Sequence, residues 1–419
     1  MDHVQGLKCM ICGAEYRTDE VMYVCPRHGD EGILDVIYDY GLIGQRLTRK
    51  KLAADPTDSI WRYKPLLPVQ ADSPVPPLQV GWTPLYRARR LAEQLGLHYL
   101  WIKDDGRNPT ASFKDRASAV AVVKALELGR DIITAASTGN AASSLAGLSA
   151  SLGIRNVIFV PETAPQAKIA QLLIFGATVI AVRGTYDQAF ELCLAAAREY
   201  GWYCRNTAYN PYLSEGKKTA ALEICEQLGW DAPDRIFVSV GDGCIIGGLW
   251  KGLKDLLALG FIEKMPRLMG VQAEGSAVLY TAWQKGSEEI EPIVPHTLAD
   301  SIAVGVPRDR LKALRAVRET GGEYLTVSDD EILEAMRLLA RRAAVFGEPA
   351  GVTGLAGLQK MVRQGRIRPE ERIVVLVTGN GLKDVDSAIK ASGTPHLIEP
   401  SLTDLKRLIG HRINPVLPA

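Results

Sequence analysis

The chain has 419 residues, 47% hydrophobic and 23% charged, with a formal net charge of +1. That balance suits a globular protein with a large core and excludes the one-signed field that nucleic-acid or anionic-membrane binding needs. No apolar run approaches the roughly 20 residues that cross a bilayer, and "MDHVQGLKCM" lacks a charged-then-apolar leader, so a cytoplasmic protein is expected.

The first elements are cysteine-bearing turns. Cys9 and Cys12 form a C-x2-C pair, and Cys25 and His28 follow after a twelve-residue gap as C-x2-H. Gly13, Pro26 and Gly29 flank the pairs, as tight turns require. Zinc takes four such donors at tetrahedral corners, so residues 1–45 are expected to be a zinc-ribbon-like segment with a structural zinc. Three free thiols beside a surface histidine are the alternative. The other cysteines, Cys193, Cys204, Cys225 and Cys244, are scattered and suggest no disulfide framework.

Residues 46–84 contain the proline-rich run "WRYKPLLPVQADSPVPPLQVGWTPL", which predicts an extended connector. Beyond it, short apolar runs alternate with longer helical patterns. The predicted strands are 98–103, 131–137, 156–161, 177–182, 202–207, 235–240, 267–272 and 372–379. Helical stretches such as "DRASAVAVVKALELG" and "YDQAFELCLAAAREYG" lie between them and end in glycine. The alternation predicts an α/β fold of parallel sheets covered on both faces. Residues 85–419 are taken as the catalytic region, with a smaller subdomain at about 115–210.

Parallel sheets bind ligands at the carboxyl ends of their strands. Three junctions there carry chemistry. In "STGN", Ser137, Thr138, Gly139 and Asn140 open a helix, which makes either an anion site or a simple cap. In "VSVGDGCIIGG", Gly241 and Gly243 follow a strand, but Ile246 stands where a dinucleotide fingerprint needs glycine and no Gly-Lys-Ser/Thr follows. The loop therefore suits a single phosphate, or else a tight turn. In "VTGNGLKD", Thr378 places a hydroxyl at the end of an apolar strand. Upstream, "NPTASFKDR" presents Lys114 after Phe113. An amine, a phosphate cradle, an anion-binding helix start and a hydroxyl together suit pyridoxal phosphate, whose aldehyde takes a lysine and whose phosphate takes backbone donors.

At these residues the chain resembles the fold-type II pyridoxal-phosphate enzymes, and among them the threonine synthases. "NPTASFKDR", "STGN", "GDGCIIGG" and "TGNGLKD" occur in family order, with "NPYLSEGKKT" as a further family segment. The resemblance implies two parallel-sheet domains with the cofactor cleft between them. It implies that Lys114 binds the cofactor and moves protons, with Phe113 packed near the ring and Asn140 bonded to the ring oxygen. It further implies that Gly241, Asp242, Gly243, Cys244 and Ile245 hold the cofactor phosphate and that Thr378 faces the ring nitrogen. Ser137 and Thr138 are expected at the substrate carboxylate. A homodimer acting on a small amino acid, without nucleic acid or membrane, is the expected assembly.

Two departures stand out. The family's Gly-Glu-Gly-x-Thr-Pro-Leu reads "QVGWTPL" here, and the arginine that helps hold the substrate phosphate is replaced by Leu213. Lys217, Lys218, Arg183 and the hydroxyl of Thr207 are the candidates to compensate. The expected reaction is that of a threonine synthase, from O-phospho-L-homoserine and water to L-threonine and phosphate. A serine/threonine dehydratase, a β-replacement enzyme such as cysteate synthase, and a non-catalytic binding protein are the alternatives.

Overall fold

Residues 1–409 are described by a computed structural model. The chain opens with strands Val4–Cys9 (β1), Glu15–Tyr16 (β2) and Leu34–Tyr38 (β3), paired antiparallel in the order β2-β1-β3. Helices Tyr40–Arg46 (α1) and Arg49–Ala54 (α2) follow. Asp39 and Thr48 start them by accepting the amides of Leu42 and Lys51. The connector departs from the extended chain that its prolines suggest. Ile60–Leu66 winds into a 3-10 helix and buries Ile60, Trp61, Tyr63 and Leu66. Burial of those side chains overrides the local preference, and Tyr63 Oη donates to Glu226 at 2.5 Å.

Strand Leu85–Arg87 (β4), helix Arg89–Gln94 (α3) and strand Tyr99–Asp104 (β5) begin the larger lobe. Helix Lys114–Glu127 (α4) then crosses to the smaller lobe. That lobe alternates Ile132–Ala136 (β6), Asn140–Leu152 (α5), Arg155–Pro161 (β7), Gln166–Ile174 (α6), Thr178–Val182 (β8), Tyr186–Tyr200 (α7) and Tyr203–Cys204 (β9). Its four strands are all parallel, ordered β8-β7-β6-β9. A capping box of Thr185 and Gln188 starts α7.

Helix Tyr212–Gln227 (α8) returns the chain to the larger lobe. There follow Arg235–Ser239 (β10), Cys244–Ala258 (α9), Arg267–Ala273 (β11), Val278–Gln284 (α10), Arg310–Glu319 (α11) and Glu323–Val327 (β12). Asp329–Ala343 (α12), Pro349–Arg363 (α13), Arg372–Val377 (β13), Val385–Ser392 (α14) and Leu402–Leu408 (α15) complete the described chain. The six strands run β12-β11-β10-β13-β5-β4, parallel except for the β4–β5 pair. In β13 every residue after Arg372 is fully buried, as a parallel strand covered on both faces requires.

Every predicted strand is present. The strands the sequence did not announce are β1 to β4 and the edge strand β12. The two parallel sheets and the small antiparallel one give the α/β architecture expected. Lys114 begins the helix that joins the lobes, so the lysine stands where they meet.

Candidate active site

The loop before Lys114 is tied to the loop after β13. Phe113 N–H donates to the Thr378 carbonyl at 2.9 Å, and Asn380 N–H donates to the Ala111 carbonyl at 3.0 Å. Ala111 sits at φ 64°, a left-handed conformation unusual for alanine, held by these bonds. Asp115 folds the turn inward, accepting the Thr110 amide at 2.7 Å. Arg116 anchors α4 from behind. Its guanidinium donates to Asp105 at 2.6 Å, to Thr219 at 2.9 Å and to Glu223, which also pairs with Lys103 at 2.7 Å. The run thus puts Asp115 and Arg116 into scaffolding and leaves Lys114 lining a cavity.

Lys114, Phe113, Asn140, Thr207, Thr378 and the whole 241–245 loop line that cavity. Five separate stretches of sequence therefore meet at one place. Burial, with Lys217 and Arg205 nearby, brings the Lys114 amine down to about 8. A substantial fraction is then unprotonated near neutrality, as a nucleophile requires.

The glycine loop fits a phosphate. Gly243 has φ 89°, and a Cβ there would lie 2.5 Å from the Ala313 Cβ. A Cβ on Gly241 would lie 2.9 Å from the Ile302 Cα. Only glycine fits either position, and the first amides of α9 have no helical partner. The helix start, the lysine amine, the Thr378 hydroxyl and the Asn140 amide together match the donors that pyridoxal phosphate needs.

Glu348 lies in the same cavity, at the start of α13, and accepts from Asn140 Nδ2 at 2.7 Å. Burial pushes its carboxyl up to about 7, against the pull of Asn140, Lys383 and Lys114. The sequence analysis did not single it out. The signal available was "EPAGVTG", an acid directly before a proline-started helix.

An adjoining cavity forms the mouth, lined by Thr138, Gly139, Ser143, Lys168, Asp300 and Lys383 among others. Lys168 of the smaller lobe meets Asp300 of the larger at 2.6 Å across it. Thr138 reaches this mouth. Ser137 lines neither cavity, and its Oγ accepts the Gly139 amide at 3.3 Å.

The expected cations separate. Lys218 is buried against Glu215 at 2.5 Å and Asp255 at 2.7 Å, with its charge over the Tyr38 ring, so it is a core ion pair and lines neither cavity. Arg183 is exposed beyond the end of β8 and lines neither cavity. Both are corrections to the sequence-based expectation: the helical spacing of "GKKT" and the run after a strand do not reveal which way a side chain turns. Lys217 also lines neither cavity; it is buried, but it lies close enough to Lys114 and Cys244 to lower the proton affinity of both. Leu213 is in the core.

The N-terminal cysteines converge as well. The ligand atoms of Cys9, Cys12, Cys25 and His28 all lie within 4.8 Å of one another. His28 Nδ1 is 3.8 Å from Cys9 Sγ and 3.5 Å from Cys25 Sγ, and the Cys12 and Cys25 sulfurs are 4.0 Å apart. Tetrahedral zinc with Zn–S bonds of about 2.3 Å needs edges of about 3.8 Å, so the donor set fits zinc. Asp35 on β3 ties this segment to α9 and α11, through Lys251 at 3.0 Å and Lys312 at 3.2 Å.

Fold and site define a two-lobed α/β enzyme in which a lysine faces a glycine-lined helix start, the arrangement that holds a phosphorylated aldehyde cofactor. Comparison with known proteins makes the class particular. The family described as pyridoxal-phosphate dependent enzyme matches residues 77–379. The threonine synthase of Methanocaldococcus jannaschii is 41% identical over 404 residues, 96% of this chain and 98% of that one. That of Methanosarcina acetivorans is 41% identical over 405 residues, again 96% of this chain and 98% of the other. The solved structure of the processed form of threonine deaminase isoform 2 from Solanum lycopersicum is similar in fold, with a TM-score of 0.66 at 22% identity, covering 85% of this chain and 89% of that one. The chain belongs to the pyridoxal-phosphate-dependent enzyme family.

Proposed function

We propose that this chain catalyses the reaction for which its curated relatives are named, that of a threonine synthase: O-phospho-L-homoserine and water give L-threonine and phosphate. The observation that carries this is likeness to threonine synthases over 96% of the chain, in a protein whose lysine, glycine loop and Thr378 meet in one cavity. Bound pyridoxal phosphate supplies an electron sink that acidifies the substrate's carbon-bound protons.

Lys114 would hold the cofactor through its amine and would take and return protons at successive substrate carbons. Its amine, near 8, is suited to both directions of transfer at neutral pH. Residues 241–245 fix the cofactor phosphate, Asn140 the ring oxygen and Phe113 the packing beside the ring. Thr378 offers the ring nitrogen a neutral hydroxyl, which favours elimination over transamination. Thr138 and the start of α5 take the substrate carboxylate, with Ser137 holding their turn, and Thr207 lines the space for the side chain. Lys217 supplies positive charge for the leaving phosphate.

The four N-terminal donors hold one structural zinc. No described helix is long and apolar enough to cross a membrane, and the proposal includes a cytoplasmic homodimer. Exposed Ile389 and Leu402, on the last two helices, offer apolar surface for the dimer contact, which light scattering tests.

The deciding experiment is product analysis. O-phosphohomoserine should yield threonine and phosphate in equal amounts, while free homoserine, with hydroxide as leaving group, stays inert. A second reading, serine/threonine dehydratase, is favoured by Leu213, which removes a phosphate-binding arginine. Keto acid from serine or threonine, with phosphohomoserine ignored, would establish it and overturn the first.

A further inference from the structure

Leu213 is 1% exposed and cannot hold a dianion, which needs charged or N–H partners when buried. Two cations nearby have no other evident task. Lys217 follows Leu213 by one turn on the same face of α8. Its stem packs on Gly248, one turn into α9 from the glycine loop, where a Cβ would meet the Lys217 Cβ at 2.7 Å. Arg205 follows β9, two residues before the cavity-lining Thr207. Its Nε donates to Ser118 Oγ at 3.0 Å, one turn along α4 from Lys114. Both lie close enough to the lysine to lower its proton affinity.

Each side chain is 1% exposed. Lys217 Nζ and Arg205 Nη2 find no hydrogen-bond or ion-pair partner among the described residues. The acids around them do not close the gap. Asp309, Asp242 and the Cys244 thiol lie near Lys217 without forming an ion pair; burial drives Asp309 toward its neutral form and lowers the proton affinity of Lys217 in the same way, so the charge on Lys217 is unsupported until an anion joins it. Asp115, on the Arg205 side, is engaged by Thr110.

The adjacent residue supplies the contrast. Lys218 is equally buried on the same helix and its Nζ likewise makes no aligned hydrogen bond, yet it is met by two carboxylates at 2.5 and 2.7 Å, an ion pairing that Lys217 lacks. A cation placed only for packing is neutralised in that way. An uncompensated buried cation is strongly unfavourable unless an anion completes it. Two such cations, flanking the lysine and the glycine loop, call for a doubly charged anion.

We propose that Lys217 and Arg205 together form the receptor for the substrate's phosphate and for the phosphate released, in place of the arginine lost at Leu213. They are positioning and specificity residues, selecting a γ-phosphoryl group over a free hydroxyl. The proposal rests on the threonine synthase reaction proposed above.

The test uses the cofactor-loaded enzyme with Lys217→Met and Arg205→Met, and Lys217→Arg and Arg205→Lys as charge-keeping controls. Four quantities are measured: KM for O-phosphohomoserine, inhibition by inorganic phosphate, cofactor affinity by absorbance titration, and the phosphate-induced rise in Tm. Each methionine variant should raise KM and the phosphate inhibition constant together, roughly ten- to a hundredfold. Cofactor affinity should stay unchanged, and the phosphate-induced rise should vanish. The charge-keeping variants should recover most of the loss, and they carry the test if the methionine variants do not fold. Unchanged KM and phosphate inhibition would overturn the proposal. So would a fall in cofactor affinity with KM unchanged, because the pair would then serve the cofactor's phosphate. If the wild type ignores phosphohomoserine, the reaction is wrong. The Tm measurement then decides the receptor alone: a phosphate-induced rise lost in Lys217→Met supports it, and no rise refutes it.

Discussion

Replacing Glu348 with glutamine probes the electrostatics of the cavity. The side chain is 5% exposed, and its carboxyl is pushed from 4.5 up to about 7, mainly by burial. Between those values the folded protein binds a proton that the unfolded chain has released. Stability from this group is therefore full below about 4.5 and is lost as pH rises toward 7. At 1.36 kcal/mol per pH unit the loss comes to about 3 kcal/mol. Spread over the unfolding entropy of 419 residues, that corresponds to about 3–4 °C in Tm. Glutamine keeps the oxygen that accepts from Asn140 Nδ2 at 2.7 Å and cannot ionise. The assay is scanning calorimetry of cofactor-free wild type and Glu348→Gln from pH 5 to 8. The two should melt within about 1 °C of each other at pH 5, and the variant should melt about 3–4 °C higher at pH 8. Other titrating groups are common to both proteins and cancel in the difference. A gap that stays constant across the range would refute the argument, because Glu348 would then not change charge in that window.

Three further outcomes are expected. Lys114→Ala should lose the cofactor that borohydride otherwise fixes to the chain and lower turnover roughly 10³-fold or more; labelling at Lys103 or Lys383 instead would refute the assignment. Gly243→Ala, forced to φ 89° with its Cβ 2.5 Å from that of Ala313, should weaken cofactor binding at least about tenfold, read by absorbance titration. Metal analysis should find about one zinc per chain, absent from Cys9→Ser/Cys12→Ser. That loss should lower Tm, because β3 braces α9 and α11 through Asp35, while the cofactor spectrum should persist, since among the described residues no ribbon side chain lines the cavity.

The sequence by itself determined what is local. Continuous apolar runs such as Ile373 to Val377 specify parallel strands wherever they fold, because only burial on both faces satisfies them. Gly243 marks the tight turn that opens α9 because glycine alone takes its conformation without strain. Paired cysteines at two turns specify a metal site because their spacing is set by the turns themselves. Tertiary structure alone decided what depends on direction and neighbours. Lys217 and Lys218 are adjacent and alike in the chain, yet a helix turns successive side chains about 100° apart. One therefore meets Glu215 and Asp255, and the other stands unpaired beside Lys114. Arg205 and Glu348 lie outside the Lys114, glycine-loop and Thr378 motifs. Their character comes from burial beside groups 91 and 208 positions away in sequence or nearer, Lys114 and Asn140 respectively. Proton affinity and charge compensation are set by distance in space, and the linear order of residues does not contain that distance until the lobes have packed.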